Sequence, residues 1–183
     1  MKQEDIEKQI YELSRQSWWN NECANYEFKD WLAVSIKENK PITRGLRNNN
    51  PGNIIHTNSN WYGLCKKQKD ERFCQFTHII YGYRAMLKIL NNYYFKYGVR
   101  TIMDVVNRWA PESDGNMPKA YARRVCVYTN TTPKAKLPSP EASCHLWSNI
   151  LLGMTYVENG ENIAYDEGWL MYQIEKAWNM LYR

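Results

Sequence analysis

The chain has 183 residues, enough for one compact domain with a real core, and a formal net charge of +5 at pH 7. That excess is too small to assign an anionic partner by itself. No apolar run approaches the ~20 residues that cross a bilayer, and no Cys-x-x-Cys or His-x-x-x-His spacing offers a zinc site, so no membrane span, metal or other cofactor is expected.

Residues 3–15 predict a first helix, with Ile6, Ile10 and Leu13 at i, i+4 and i+7. Residues 26–38 predict a second, with Phe28, Trp31, Leu32 and Ile36 on one side and Asn39-Lys40-Pro41 as its stop. Arg44 to Ile54 then reads Arg-Gly-Leu-Arg-Asn-Asn-Asn-Pro-Gly-Asn-Ile. Pro51 pushes Asn50 out of helical geometry and Gly52 permits a positive φ, so a tight loop braced by Asn side chains is expected, with Gly52 at positive φ. Strands are expected near 53–56, 61–64 and 73–77. Residues 80–97 predict a strong helix, with Tyr83, Leu87, Leu90, Tyr94 and Tyr97 on its apolar stripe and Gly98 ending it. Thr101 caps a helix over 102–109, closed by Pro111, and a polar turn at 112–116 leads to a helix over 117–128. A proline-rich linker at 129–140 and helices over 141–158 and 166–182 complete the chain. The expected class is α+β, mostly helical with a small β-hairpin. It forms one domain, in which 1–40 are N-terminal helices, 41–135 hold the Asn loop, hairpin and helical cleft, and 136–183 are C-terminal helices.

The motifs Arg44–Ile54, Asn60-Trp61-Tyr62-Gly63, Phe73-Cys74-Gln75-Phe76, Tyr81-Gly82-Tyr83-Arg84-Ala85 and Val105–Asn116, with Tyr121 beyond, resemble a group of phage structural or lysin proteins placed among lysozyme-like peptidoglycan hydrolases. A more distant similarity is to bacterial glucosaminidases. The resemblance implies a lysozyme-like domain whose substrate is the peptidoglycan glycan strand, with phage virion proteins as further partners. The alternative it leaves open is a non-catalytic virion structural or wall-binding module.

Glycosidic cleavage needs a carboxylic acid that protonates the leaving oxygen. Glu158 ends a helix and is followed by Asn159-Gly160, similar to the Glu-Ser-Gly helix ends of lysozyme-like enzymes. It follows the Asn loop in the chain, so the order is permuted relative to glucosaminidases. Glu38 is the second catalytic candidate, although Lys37 and Lys40 flank it. Glu161, Asp166, Asp70, Glu71 and Asp114 are candidates for a second carboxylate role, which a transglycosylase does not require.

Asn48, Asn49, Asn50 and Asn53 are candidates to bond sugar hydroxyl and acetamido groups, or to brace the loop. Trp61, Tyr81 and Tyr121 are candidates to stack on or line the cleft. Trp109, before Ala-Pro, reads chiefly as a buried anchor. A Cys74–His78 pair would suit an amidase, and nucleic-acid binding has no basic helix face behind it. Cys65 and Cys74 either face each other across the hairpin or are buried free thiols. The odd count of five cysteines, with no apolar signal stretch after Met1, points to folding in a reducing cytosol. A wall substrate would then be reached through a phage particle or host lysis.

Overall fold

The hydrophobic periodicity of the first forty residues becomes two helices, α1 (Gln3–Ser14) and α2 (Tyr26–Lys37). The computed structural model describes residues 1–183. Asn25 caps α2 by accepting the Phe28 N–H at 2.8 Å. A four-residue helix, α3 (Arg44–Arg47), opens the segment expected to be wholly loop. Then come α4 (Ile79–Tyr97), capped by His78 and stopped by Gly98 at φ 66°, and α5 (Ile102–Trp109), entered through a reciprocal Thr101–Asp104 cap. Next are α6 (Pro118–Thr129), α7 (Cys144–Asn159) and α8 (Glu167–Tyr182), the last capped by Asp166.

The α+β expectation is overturned. The chain is 57% helical with 3% in bridge geometry and contains no sheet. Ile55 meets Phe73 and Leu64 meets Phe76, each as an isolated antiparallel bridge, so the expected hairpin never becomes a ladder. Side chains explain why, because they take the backbone groups a ladder would use. Asn50 bonds Ile54 N–H and the Ile54 and Cys74 carbonyls, all at 2.9 Å. Gln68 bonds the Cys65 and Gln75 carbonyls and the Gln75 N–H, and Asp70 accepts the Arg72 and Phe73 N–H groups. The architecture is therefore helical, with a loop platform stitched by amides.

The core runs as one cluster from Trp19 to Trp178. Helix α7 lies at its centre, with Trp147, Ile150, Leu151 and Met154 fully buried. It packs on α6 and α8, while α4 packs on α8 and α5 on α6. Each such large apolar side chain contributes about 1.5–3 kcal/mol on burial. The proline-rich linker is tied to this core, as Trp147 donates its indole N–H to the Pro138 carbonyl at 3.2 Å and Trp178 to the Pro140 carbonyl at 2.9 Å.

Gly52 is not at positive φ. The left-handed residues of the loop are Asn49 (φ 52°) and Asn53 (φ 49°), a conformation Asn tolerates through local hydrogen bonding. What Gly52 supplies is space, since a Cβ there would lie 2.8 Å from the Trp109 ring and 2.9 Å from the Met86 side chain. Gly82 on α4 serves the same end, because a Cβ would strike the Asn49 carbonyl oxygen. The Asn loop thus lies directly on α4. The thiol that meets Cys65 is Cys23, with the sulfurs 2.9 Å apart, and not Cys74.

Candidate functional site

Glu158, in the last turn of α7, is held by three side chains from three other parts of the chain. Its Oε1 accepts the Trp109 indole N–H at 3.1 Å and the Tyr121 hydroxyl at 3.0 Å. Its Oε2 accepts the Asn53 amide N–H at 3.0 Å. The same Asn53 nitrogen lies 3.3 Å from the Glu158 carbonyl. These bonds join the ends of α5 and α7, the α6 face and the Asn loop at one carboxyl group. Tyr121 is buried, and burial first, then the neighbouring Glu158 charge, raise its phenol well above the ordinary range. It therefore stays a hydroxyl donor at neutral pH.

Asn159, next in the chain, fixes the helix end. Its amide donates to the Pro51 carbonyl at 2.8 Å and the Thr155 carbonyl at 3.0 Å, and its Oδ1 accepts the Thr43 hydroxyl at 2.8 Å. The position of Glu158 relative to the Asn loop is thus set by a buried amide beside it.

Two open depressions are walled by the side chains that bond the carboxyl. One, of about 570 Å3, is walled by Asn53, Ile55, Trp61, Tyr93, Tyr97 and Trp109. The other, of about 560 Å3, is walled by Met117, Tyr121, Arg124, Tyr156 and Glu161. Asn53 and Trp109 from the first and Tyr121 from the second all bond Glu158, so the carboxyl is tied to a wall of each depression while its own side chain walls neither. Trp61 is half-buried, and its indole N–H, itself buried, has no acceptor within the protein.

The other candidates lie elsewhere. Asn48, Asn49 and Asn50 are almost wholly buried and their amides are used internally. Asn48 lies between Asp70 and Gln75, Asn49 bonds the Cys23 and Phe76 carbonyls, and Asn50 braces Ile54 and Cys74. Only Asn53 of the four reaches the glutamate. Tyr81 packs edge-on against Tyr62 at 5.3 Å and covers Gly63, lining neither depression. Glu38 sits exposed at the end of α2, 3.0 Å from the Lys40 ammonium.

The remaining carboxylates, Glu71 excepted, have structural partners. Glu161 pairs with Arg124, Asp166 caps α8, Asp114 accepts from Ser113, and Glu71 is exposed. Burial works to raise the Asp70 carboxyl, but bonds from Asn48, Phe73 and Arg72 outweigh it and hold the group below its usual range. The Cys74 thiol is pushed up to about 11 by burial, and its nearest imidazole is His56, 4.0 Å away. Such a thiol is no nucleophile at neutral pH, and His78 is bonded to Glu27 instead.

Trp109 is the site residue whose role sequence reasoning undervalued. Its signal was position, at the end of α5 inside the same motif series that supplied Tyr121. No protein-family model matches the chain. It is 34% identical over 140 residues, 74% of its own length and 84% of the relative's, to Protein P5 of Pseudoalteromonas phage PM2. The chain belongs to the family of that phage protein. No helix is long and apolar enough to cross a membrane.

Proposed function

We propose that the protein cleaves the glycan strand of peptidoglycan, with Glu158 protonating the leaving glycosidic oxygen. The carrying observation is the half-buried Glu158 carboxyl, oriented by Asn53, Trp109 and Tyr121, side chains that themselves wall two aromatic-lined depressions. A carboxyl group offers roughly four acceptor positions. The protein fills three, and the fourth, on Oε2, is where a transferable proton or a glycosidic oxygen would sit. Trp61 and Tyr93 wall the first depression and are the aromatic side chains there that could pack on a sugar.

None of Glu161, Asp166, Asp70 or Asp114 bonds to the Glu158 cluster, which favours a route with one protein carboxylate. The substrate's own acetamido oxygen or 6-hydroxyl would then attack the anomeric carbon as Glu158 protonates the departing oxygen. The Glu158 carboxylate so formed would take the proton of the 6-hydroxyl as the 1,6-anhydro ring closes, the manner of a lytic transglycosylase, or of the water that opens the acetamido-derived oxazolinium. The motif order that resembles peptidoglycan hydrolases supports the same substrate, and the phage relative supports delivery with a virion or at host lysis.

One observation favours a second reading, a non-catalytic virion structural or wall-binding module. Three donors on one half-buried carboxyl are also what a purely structural junction requires. Digestion of purified sacculi followed by mass analysis separates the two. Cleavage of the glycan releases fragments ending in reducing or 1,6-anhydro sugars, whereas a binding module co-sediments with sacculi and releases nothing.

A further inference from the structure

Beside the Trp61 cleft lies a larger depression, of about 800 Å3, and the two share Ile89, Tyr93 and Tyr97 as a common wall. Four of its polar side chains keep donors or acceptors free of protein partners, with Asp104, Asn107 and Arg108 open to solvent. Arg108 makes no ion pair, and its guanidinium rests over the Tyr97 ring at 3.6 Å and the Tyr93 ring at 5.1 Å. Asp104, one helical turn earlier on α5, uses Oδ2 for the Arg100 and Thr101 N–H groups and leaves Oδ1 unbonded. The side-chain amides of Asn92 and Asn107 bond nothing in the protein. At a spacing of i and i+4 the aspartate and arginine could have neutralised each other. The guanidinium lies on the tyrosine shelf instead, so one open depression presents a separate cation and a separate anion.

We propose that this depression receives the peptide stem of peptidoglycan, with a stem carboxylate on Arg108 and a stem ammonium toward Asp104. The inference rests on the glycan-cleaving reading and adds a substrate determinant to it. Stems hang from alternate sugars of the strand, carry free carboxylates and, where not cross-linked, a free amine. A zwitterionic chain leaving a sugar in the Trp61 cleft would pass over Tyr93 and Tyr97 into this cavity. Arg108 and Trp109 are consecutive, so one end of α5 would orient the acid and read the stem together. Guanidinium suits this role, since its planar fork pairs with a carboxylate while stacked on an aromatic face.

The test compares soluble glycan oligomers bearing stems with the same oligomers stripped by an amidase, using the full chain. The wild type should bind and turn over the stem-bearing oligomer with about 10-fold lower Kd and KM, the scale of one charge-assisted hydrogen bond. Arg108→Gln should erase that difference while leaving the stripped oligomer's Kd unchanged, and Arg108→Lys should restore part of it. Equal affinity of the wild type for both oligomers, or an equal loss on both in Arg108→Gln, overturns the stem site and leaves the glycan reading standing. A wild type that neither binds nor cuts either oligomer overturns both.

Discussion

Trp109 donates its indole N–H to Glu158 at 3.1 Å, tying the last residue of α5 to the last turn of α7. The bond makes the orientation of the carboxyl depend on a helix with which it shares no sequence neighbourhood. Trp109→Phe removes the N–H and keeps most of the ring packing. It should cost about 1–2 kcal/mol, modest for a bond to an acidic group because the carboxyl is only half-buried. Turnover should fall by about 10-fold or more with KM little changed. Thermal melting and steady-state kinetics on the same sample check both halves.

Asn50 and Asn53 should part company. Asn50→Ala strips bonds from Ile54 N–H and the Cys74 carbonyl in a fully buried loop, so a loss of about 3–5 kcal/mol is expected. Asn53→Ala should cost about 1 kcal/mol and act chiefly on turnover, since its partner is the candidate acid. Chemical denaturation of both variants, read beside sacculus digestion, decides it. Equal stability losses would remove the distinction between a bracing amide and a site amide.

Alkaline pH should unfold the protein through its buried phenols. Burial raises Tyr83, Tyr121, Tyr165 and Tyr182 above their ordinary range and pushes Tyr156 up to about 12. Each phenol holds its proton more tightly in the folded state than in the unfolded chain. The resulting stability is complete below the unfolded value of about 10 and is lost as pH rises through the folded values. Melting temperature should therefore hold through neutral pH and fall steeply above roughly pH 10. Unfolding scans with tyrosinate absorbance as a second probe follow the process.

The long helices were legible because the 3.6-residue period and the caps agree, as with Thr101 before α5 and Gly98 after α4. The hairpin was not, because strand-like residues at 53–56 and 73–77 say nothing of Asn50, Gln68 and Asp70 reaching in to take the backbone groups. The Asn-rich motif announced a turn, but the positive φ falls at Asn49 and Asn53 and not at the expected Gly52, whose place is set by close approach to Trp109 and Met86. Of the candidates taken from the helix end, the loop and the family resemblance, the structure brings Glu158, Asn53 and Tyr121 together in one hydrogen-bonded cluster. Trp109 was passed over because a Trp before Ala-Pro also makes a good packing anchor, and only tertiary structure aims its N–H.

The central claim is that Glu158 donates a proton to a glycosidic oxygen, and Glu158→Gln tests it most directly. Gln fits the same volume, and rotating the Asn53 amide turns its unpartnered Oδ1 to the new N–H at the loss of the long 3.3 Å contact to the Glu158 carbonyl. Fold and sacculus binding should therefore survive. Mass analysis of muropeptides should show glycan cleavage by the wild type and at least a ~10²-fold slower release by Glu158→Gln, the usual scale for a lost general acid. Full lytic activity in Glu158→Gln, or no glycan cleavage by the wild type on any wall type, would contradict the account.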